Sequence, residues 1–206
     1  MRPISHCIFS AVITFFFTLC VPQQGLSQTL FNYVEMPQNN LWALQQWANT
    51  RTRHAKEDVP TQGSPIQTWF QMLNKTQHLS PQKQLIAINT FANRHPYILD
   101  IENYGLEDYW AIIKQFLQNN GDCEDYAITK VYSLRKLGFD NDQLRIVILQ
   151  DTNLKVAHAV LAVFSTDDIV ILDNQVTPIL SHTDIKHYNP IYSINEKGWW
   201  LHLPPM

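Results

Sequence analysis

The sequence predicts an α+β protein in which a helical N-terminal half packs on a C-terminal antiparallel sheet. Apolar residues recur with helical spacing before Gly138, and three β-rich runs follow that residue, separated by short polar segments. The chain has 206 residues, of which 45% are hydrophobic and 12% aromatic, enough for one core. We therefore expect a single domain after any targeting segment.

The helical half begins with a short amphipathic helix that follows a turn at Pro37. Its apolar face is predicted from Leu41, Leu44, Trp47 and Ala48. Residues 60–65, rich in proline, glycine and serine, interrupt the pattern as a loop. A second helix is predicted over about 65–73 and a third over about 81–94, the latter starting with proline in its first turn after a serine.

The last helix of this half carries the chemically most active residues. A short helix within residues 100–121 leads to it, and Gly138 ends it. Asp122 is predicted as its N-cap, with Asp125 three residues later. Cys123 therefore lies in a first turn, where unpaired N–H groups and the helix dipole favour a thiolate.

Three consecutive β-rich runs form the predicted antiparallel sheet. They are Leu144–Gln150, His158–Phe164 and Ile169–Asn174. The tail, residues 190–203, adds either one further strand pair or a closing segment.

Residues 1–28 are predicted to be an export signal, and residues 29–206 a single domain. A positive charge near the start precedes an apolar stretch from about Cys7 to Val21, and Gly25 and Ser27 are spaced as at a signal-peptidase site. An uncleaved membrane anchor is the alternative, but the apolar stretch is shorter than the roughly 20 residues of a spanning helix.

Cleavage of the signal would leave one cysteine in the mature protein. Cys7 and Cys20 lie inside the signal, so only Cys123 would remain and no intrachain disulfide could form. A buried, inert thiol is the plain alternative for a single cysteine. An exported protein that keeps one unpaired thiol nevertheless invites a chemical explanation.

A nucleophilic Cys123 needs a base, and the base needs a group that orients it. If residues 165–168 form a four-residue turn, Val160 lies opposite Asp173, and His158 lies diagonally beside it on the same face. A two-residue turn would set His158 directly opposite Asp173. Either register brings imidazole and carboxylate together. The alternative is a histidine bonded to a backbone carbonyl and an aspartate that serves only its turn.

Four segments together resemble a known family. In chain order they are ENYGLEDYWA, GDCEDYAITKVYSLRKLG, AHAVLAV and VILDN, and the similarity runs from roughly Pro81 to the C-terminus. They resemble the bacterial transglutaminase-like cysteine proteinases. The resemblance implies a papain-like, transglutaminase-like fold with a Cys-His-Asp triad at Cys123, His158 and Asp173.

The likeness is greatest to the periplasmic, adhesin-releasing members of this family. It implies a periplasmic calcium-dependent endopeptidase that cuts a very large surface adhesin near its N-terminal anchor, at a dialanine site, and so releases cells from biofilm. The implied partner is a LapD-like inner-membrane receptor. Such a receptor senses cyclic di-GMP on its cytoplasmic side and holds the protease inactive.

The acidic residues beside Cys123 oppose its ionisation, because nearby negative charge raises a thiol's pKa. A calcium ion would reverse this field, and clustered carboxylates suit that metal. Asp122 and Glu124 are predicted ligands, and Asp125 a further one although it also suits a cap; the resemblance implies ligands in the same motif. A solvated acidic helix start is the alternative. Zinc fits poorly, and His182 and His187 are expected at the surface.

Two other functions remain open from the sequence. A transglutaminase would use the same triad but pass the thioester to an amine, and an exported binding module would keep the fold without catalysis. A nucleic-acid partner is not expected, because the formal net charge is −3 and there is no basic stripe.

Overall fold

The computed structural model describes residues 29–39, 44–59 and 61–205. The predicted export signal and Leu41 lie outside the described residues. Within the described part there are six helices: α1 Leu44–Glu57, α2 Pro65–Thr76, α3 Pro81–Ala92, α4 Asp100–Asn103, α5 Ile113–Asn119 and α6 Cys123–Lys136. Short 3-10 turns lie at Leu30–Asn32 and Asn141–Gln143. Among these residues, no helix has the length and apolarity needed to cross a bilayer.

The described strands form one antiparallel sheet in the order β1-β7-β6-β2-β3-β4-β5. The strands are β1 Val34–Gln38, β2 Leu144–Asp151, β3 Val156–Phe164, β4 Ile169–Leu172, β5 Leu180–Ser181, β6 Tyr188–Ile194 and β7 Trp199–Leu203. The predicted α+β class is confirmed, and the tail forms the strand pair β6–β7.

The structure corrects the prediction at Pro37, where a turn was expected. Residues 34–38 form β1, which pairs with β7 at the edge of the sheet and sets Pro37 opposite Trp200. Proline has no N–H to donate to a ladder, so it is tolerated at a sheet edge or at a bulge, as at Pro190 of β6, but not within a regular central ladder. The position of the strand in the sheet, which the local sequence does not show, explains the error.

Of the two turns considered between β3 and β4, the structure has the four-residue turn. Phe164 pairs with Ile169, and Ser165 N–H donates to Asp168 O at 2.9 Å to close the turn. This register sets which side chains of β3 lie beside the end of β4. It therefore decides the geometry around His158.

Helix α6 runs through the centre of the protein. Its residues 124–134 are buried, because it packs against β3 on one side and against α3 and α5 on the other. Along each strand alternate residues face opposite sides of the sheet. Ile146 and Leu161 face the helices in the main core, while Val147 and Val160 face a second, smaller cluster that includes Phe31 of the N-terminal turn.

Candidate active site

The strand side of the site is a hydrogen-bonded pair of buried side chains. His158 is in β3, and Asp173 follows directly after β4, so the tight turn brings the two together. His158 Nε2 lies 2.9 Å from Asp173 Oδ1, and each residue is 2% exposed. The structure thus joins the imidazole and the carboxylate that the sequence singled out.

Asp173 accepts hydrogen bonds on both of its oxygens. Gln175 N–H donates to Oδ1 at 2.9 Å, and the Tyr188 hydroxyl donates to Oδ2 at 2.6 Å. Burial raises the pKa of Asp173, but the hydrogen bond and charge of His158, with the bond from Tyr188, outweigh it and hold this pKa below its ordinary value. Asp173 is therefore ionised near neutral pH and accepts Nε2–H from His158, which leaves the lone pair on Nδ1.

The helix side of the site begins with Cys123, the first residue of α6. It lines a groove of about 350 Å³ together with His158, Ala157 and Ala159. The half-buried thiol donates its hydrogen bond to Glu124 Oε2 at 3.4 Å, not to His158. Burial, followed by the charges of Glu124 and Asp122, raises the pKa of the thiol well above its ordinary value.

Asp122 occupies the N-cap position of α6, but its side chain makes no capping hydrogen bond. Its Oδ1 is buried without a partner among the described residues. Asp125 Oδ1 accepts the Ala111 N–H at 2.7 Å, while Asp125 Oδ2 is also buried and has no hydrogen-bond partner within residues 29–39, 44–59 and 61–205. The predicted cap is therefore wrong in its bonding, because these side chains take part in a group of carboxylates.

We call this group the acidic cluster. Its members are Asp100, Asp108, Asp122, Glu124 and Asp125. One oxygen each from Asp100, Asp122 and Asp125 lies within 4.8 Å of the other two, and the same holds for Asp100, Asp108 and Glu124. Burial, partly opposed by the Tyr109 N–H bond, raises the pKa of Asp100 to about 6. Burial likewise raises the pKa of Asp125 and Glu124 well above the ordinary range.

Gly121 makes room for the acidic cluster. A Cβ atom at this position would lie 2.1 Å from Asp125 Oδ2, far inside van der Waals contact. Packing against Asp125 therefore requires glycine at position 121, directly before the acidic motif. Any side chain there would displace the Asp125 carboxylate.

Several contacting residues were not found from the sequence. Asp100 and Asp108 lie in a separate segment, and only the fold brings them to α6. Tyr188 was missed for the same reason, as was Asn93, whose Nδ2 donates to the Asp173 carbonyl at 2.6 Å. Gln175 lies two residues after Asp173 and makes the local turn bond considered for that aspartate. The acidic residues of ENYGLEDYWA were the only visible signal, and they point to no partner by themselves.

The histidines considered for zinc have other places in the structure. His182 is buried, and its Nδ1 accepts the Phe31 N–H at 2.8 Å, so the expectation that it lies at the surface is wrong. His187 is half-buried. Neither belongs to a group of side chains that could hold a metal within the described part of the chain.

Comparison with known proteins agrees with this architecture. The chain resembles the solved structure of Legionella pneumophila LapG, with 29% identity, a TM-score of 0.61, and coverage of 81% of this chain and 90% of that one. It is also similar to calcium-bound LapG from the same organism, with 29% identity, a TM-score of 0.62, and 77% and 86% of the two chains covered. The EGTA-treated form matches with 29% identity, a TM-score of 0.61, and 81% and 87% coverage.

A search among curated protein sequences found no match. The profile of the family described as bacterial transglutaminase-like cysteine proteinase BTLCP matches residues 71–205, which include both sides of the groove. On this match the chain belongs to the bacterial transglutaminase-like cysteine proteinases.

Proposed function

We propose that this protein is a calcium-dependent cysteine endopeptidase of the periplasm that cuts a large surface adhesin near its N-terminus. The observation that carries the chemistry is the 2.9 Å bond between His158 and Asp173, in a groove shared with Cys123. A thiol in a first helical turn beside an oriented imidazole suits acyl transfer by a cysteine nucleophile. The family of the chain supports a protease of this kind.

The proposed reaction uses His158 through Nδ1, because Nε2–H is donated to Asp173. Gln175 Nε2 lies 3.3 Å from Nδ1 and gives up this contact when Nδ1 accepts the proton of Cys123. Nδ1 takes the proton of Cys123 as the sulfur attacks the peptide carbonyl carbon, and a C–S bond forms while the oxygen becomes an oxyanion. Backbone N–H groups at the start of α6, including that of Cys123, stabilise the oxyanion. The imidazolium protonates the leaving amine as the C–N bond breaks, and water then hydrolyses the thioester by the same route.

The acidic cluster fits calcium by its own chemistry. Asp100 Oδ1, Asp122 Oδ1 and Asp125 Oδ2 are buried oxygens without hydrogen-bond partners in the described structure. Calcium prefers several carboxylate oxygens, and these are close enough to share one ion. We propose that Asp122, Glu124 and Asp125 hold the ion with help from Asp100 and Asp108. When bound, calcium would supply positive charge that offsets the field opposing a thiolate at Cys123. The similarity to calcium-bound LapG supports this.

The substrate, location and partner extend the proposal. The family resemblance supports a very large surface adhesin, cut at a dialanine site near its anchor with release of cells from biofilm, and a LapD-like inner-membrane receptor that senses cyclic di-GMP and holds the protease inactive. The predicted export signal supports a periplasmic location.

The test is incubation of the purified protein with the N-terminal part of a large adhesin from the same genome. We expect cleavage in calcium, loss of cleavage in EGTA, and none from Cys123→Ala, which should still bind calcium if its fold is intact. Cleavage by Cys123→Ala would refute the nucleophile. Incorporation of a labelled amine without release of a fragment would instead identify a transglutaminase.

A further inference from the structure

We propose that Tyr188 is a positioning residue whose hydroxyl group holds Asp173 in the orientation that His158 needs. The inference rests on the proposed function, because the orientation of the imidazole matters only if His158 is the base. Tyr188 is the first residue of β6 and lies outside the segments that carry the three predicted catalytic residues. It is buried, with 3% of its surface exposed.

The two oxygens of Asp173 have different partners. Oδ1 receives both His158 Nε2–H and Gln175 N–H at 2.9 Å, whereas the Tyr188 hydroxyl donates to Oδ2 at 2.6 Å. The terminal torsion of an aspartate side chain is broad and has no steep minimum of its own. A donor on Oδ2 therefore limits rotation of the carboxylate, and with it the direction in which Oδ1 faces His158.

The ring of Tyr188 is itself held in place. Its centroid lies 5.8 Å from the His158 ring and 6.1 Å from the Phe31 ring, the latter in an edge-to-face arrangement. Its backbone pairs with Asp151 of β2. Phe31 belongs to the N-terminal 3-10 turn, and the Phe31 N–H donates to Nδ1 of the buried His182. These contacts hold the Tyr188 ring, and thus its hydroxyl group, in place beside Asp173.

The ionisable groups around Asp173 come from three elements. His158 on β3 and Tyr188 on β6 donate directly to the carboxylate. Lys130 on α6 is buried; burial lowers its pKa to about 7, and the charge of Asp173 acts in the opposite direction. Burial raises the pKa of Asp173, but its hydrogen bonds leave it below the ordinary value, and Tyr188 contributes to that net effect.

The test compares Tyr188→Phe with Tyr132→Phe. The first variant keeps the ring and removes only the donor to Asp173. The second removes a buried hydroxyl group that has no hydrogen-bond partner among the described residues, far along α6 from the groove. For Tyr188→Phe we expect kcat to fall about tenfold, as for a lost hydrogen bond to a charged group, with KM within about twofold. Tyr132→Phe should leave both constants near the wild-type values.

A second measurement separates positioning from packing. The folded-state pKa of Asp173 is depressed, so its stabilising effect is present above the unfolded-state pKa and is lost as the pH falls through the folded-state value. Urea unfolding at pH 6 and below about pH 4 should therefore show Tyr188→Phe less stable than wild type at pH 6, with a smaller difference in acid. The cost of Tyr132→Phe should not change with pH.

The outcomes distinguish this inference from the proposed function. A wild-type protein that cleaves no adhesin contradicts the protease. If the wild type cleaves, then unchanged or higher kcat in Tyr188→Phe, or a stability loss that does not change with pH, rules out the role of Tyr188 alone.

Discussion

The two sides of the groove differ in how completely the protein satisfies its own polar groups. On the strand side, both oxygens of Asp173 and both ring nitrogens of His158 lie within hydrogen-bonding distance of a partner. On the helix side, three carboxylate oxygens of the acidic cluster are buried without a hydrogen-bond partner in the described part of the chain. Buried polar groups in proteins are nearly always paired. The chain thus satisfies the polar groups around His158 by itself, whereas carboxylate oxygens near Cys123 are left without partners in the described structure, and the proposed calcium ion would supply one.

The ionisation of the carboxylates follows the same division. Hydrogen bonds hold the pKa of Asp173 below its ordinary value despite burial. Burial raises the pKa of Glu124 and Asp125, and neighbouring carboxylates add to the effect. Asp173 on the strand side is therefore ionised near neutral pH. On the helix side, burial and mutual repulsion oppose the ionisation of Glu124 and Asp125.

Removal of Asp173 should damage only the strand side. For Asp173→Ala we expect kcat/KM to fall about 10³-fold, because His158 loses the acceptor that sets its tautomer and orientation. Calcium affinity, measured by calorimetry, should stay at the wild-type value. A large change in calcium affinity would show that the two sides are not independent.

Removal of calcium should damage only the helix side. In EGTA we expect activity to fall at least about tenfold, since each unit by which the thiol pKa rises lowers the thiolate fraction tenfold. The melting temperature should fall by about 5–10 °C from a state with calcium at a hundred times its dissociation constant. Asp122→Asn should lose most of this thermal shift, and Asp173→Ala should keep it. Equal melting temperatures of the wild type with and without calcium would contradict the ion site.

A side chain at position 121 should weaken the helix side by steric means. Gly121→Ala places a Cβ atom 2.1 Å from Asp125 Oδ2, and we expect a loss of about 1–3 kcal/mol in unfolding free energy with weaker calcium binding. Gly198→Ala is the matched control, because its Cβ meets nothing within 4 Å. The check is denaturant unfolding together with calcium titration. Equal behaviour of the two variants would contradict the close contact.

The smallest effect concerns the pH dependence of the calcium-free protein. The folded-state pKa of Asp100 is about 6, above the unfolded value of about 3.9, so the folded state binds more protons in between. In EGTA, stability should therefore rise as the pH falls from 7 to 5, by about 1 kcal/mol from Asp100 alone. Asp100→Asn should remove this part of the rise, and calcium should flatten it. A decrease in stability over this range that Asp100→Asn does not alter would show that the carboxylate is not held in the protonated form.

The sequence predicted the parts of this molecule that depend on local pattern. Helical periodicity placed Cys123 at the start of α6, and strand alternation placed His158 beside Asp173 for either of the two turn lengths considered. The residues that complete each side could not be predicted, because Tyr188 and Asp100 reach the groove through tertiary contacts without a local signature. The strand at Pro37 was not predicted, because a strand tolerates this proline only at the edge of the sheet, and the local sequence does not show where a strand lies in the sheet. The bonding of Asp122 was not predicted, because its carboxylate belongs to the acidic cluster and does not cap α6.

The two carboxylate oxygens of Asp125 contact different parts of the site. Oδ1 anchors Ala111, next to the segment whose Asp108 and Trp110 line the groove, and Oδ2 belongs to the acidic cluster. With an ion bound as proposed, Asp125 would connect it to the groove wall, and any effect of the ion on peptide affinity would be matched by an equal effect of the peptide on ion affinity. Substrate and calcium would then be thermodynamically linked through a single carboxylate, and the peptide affinity would depend on the calcium concentration around the protein.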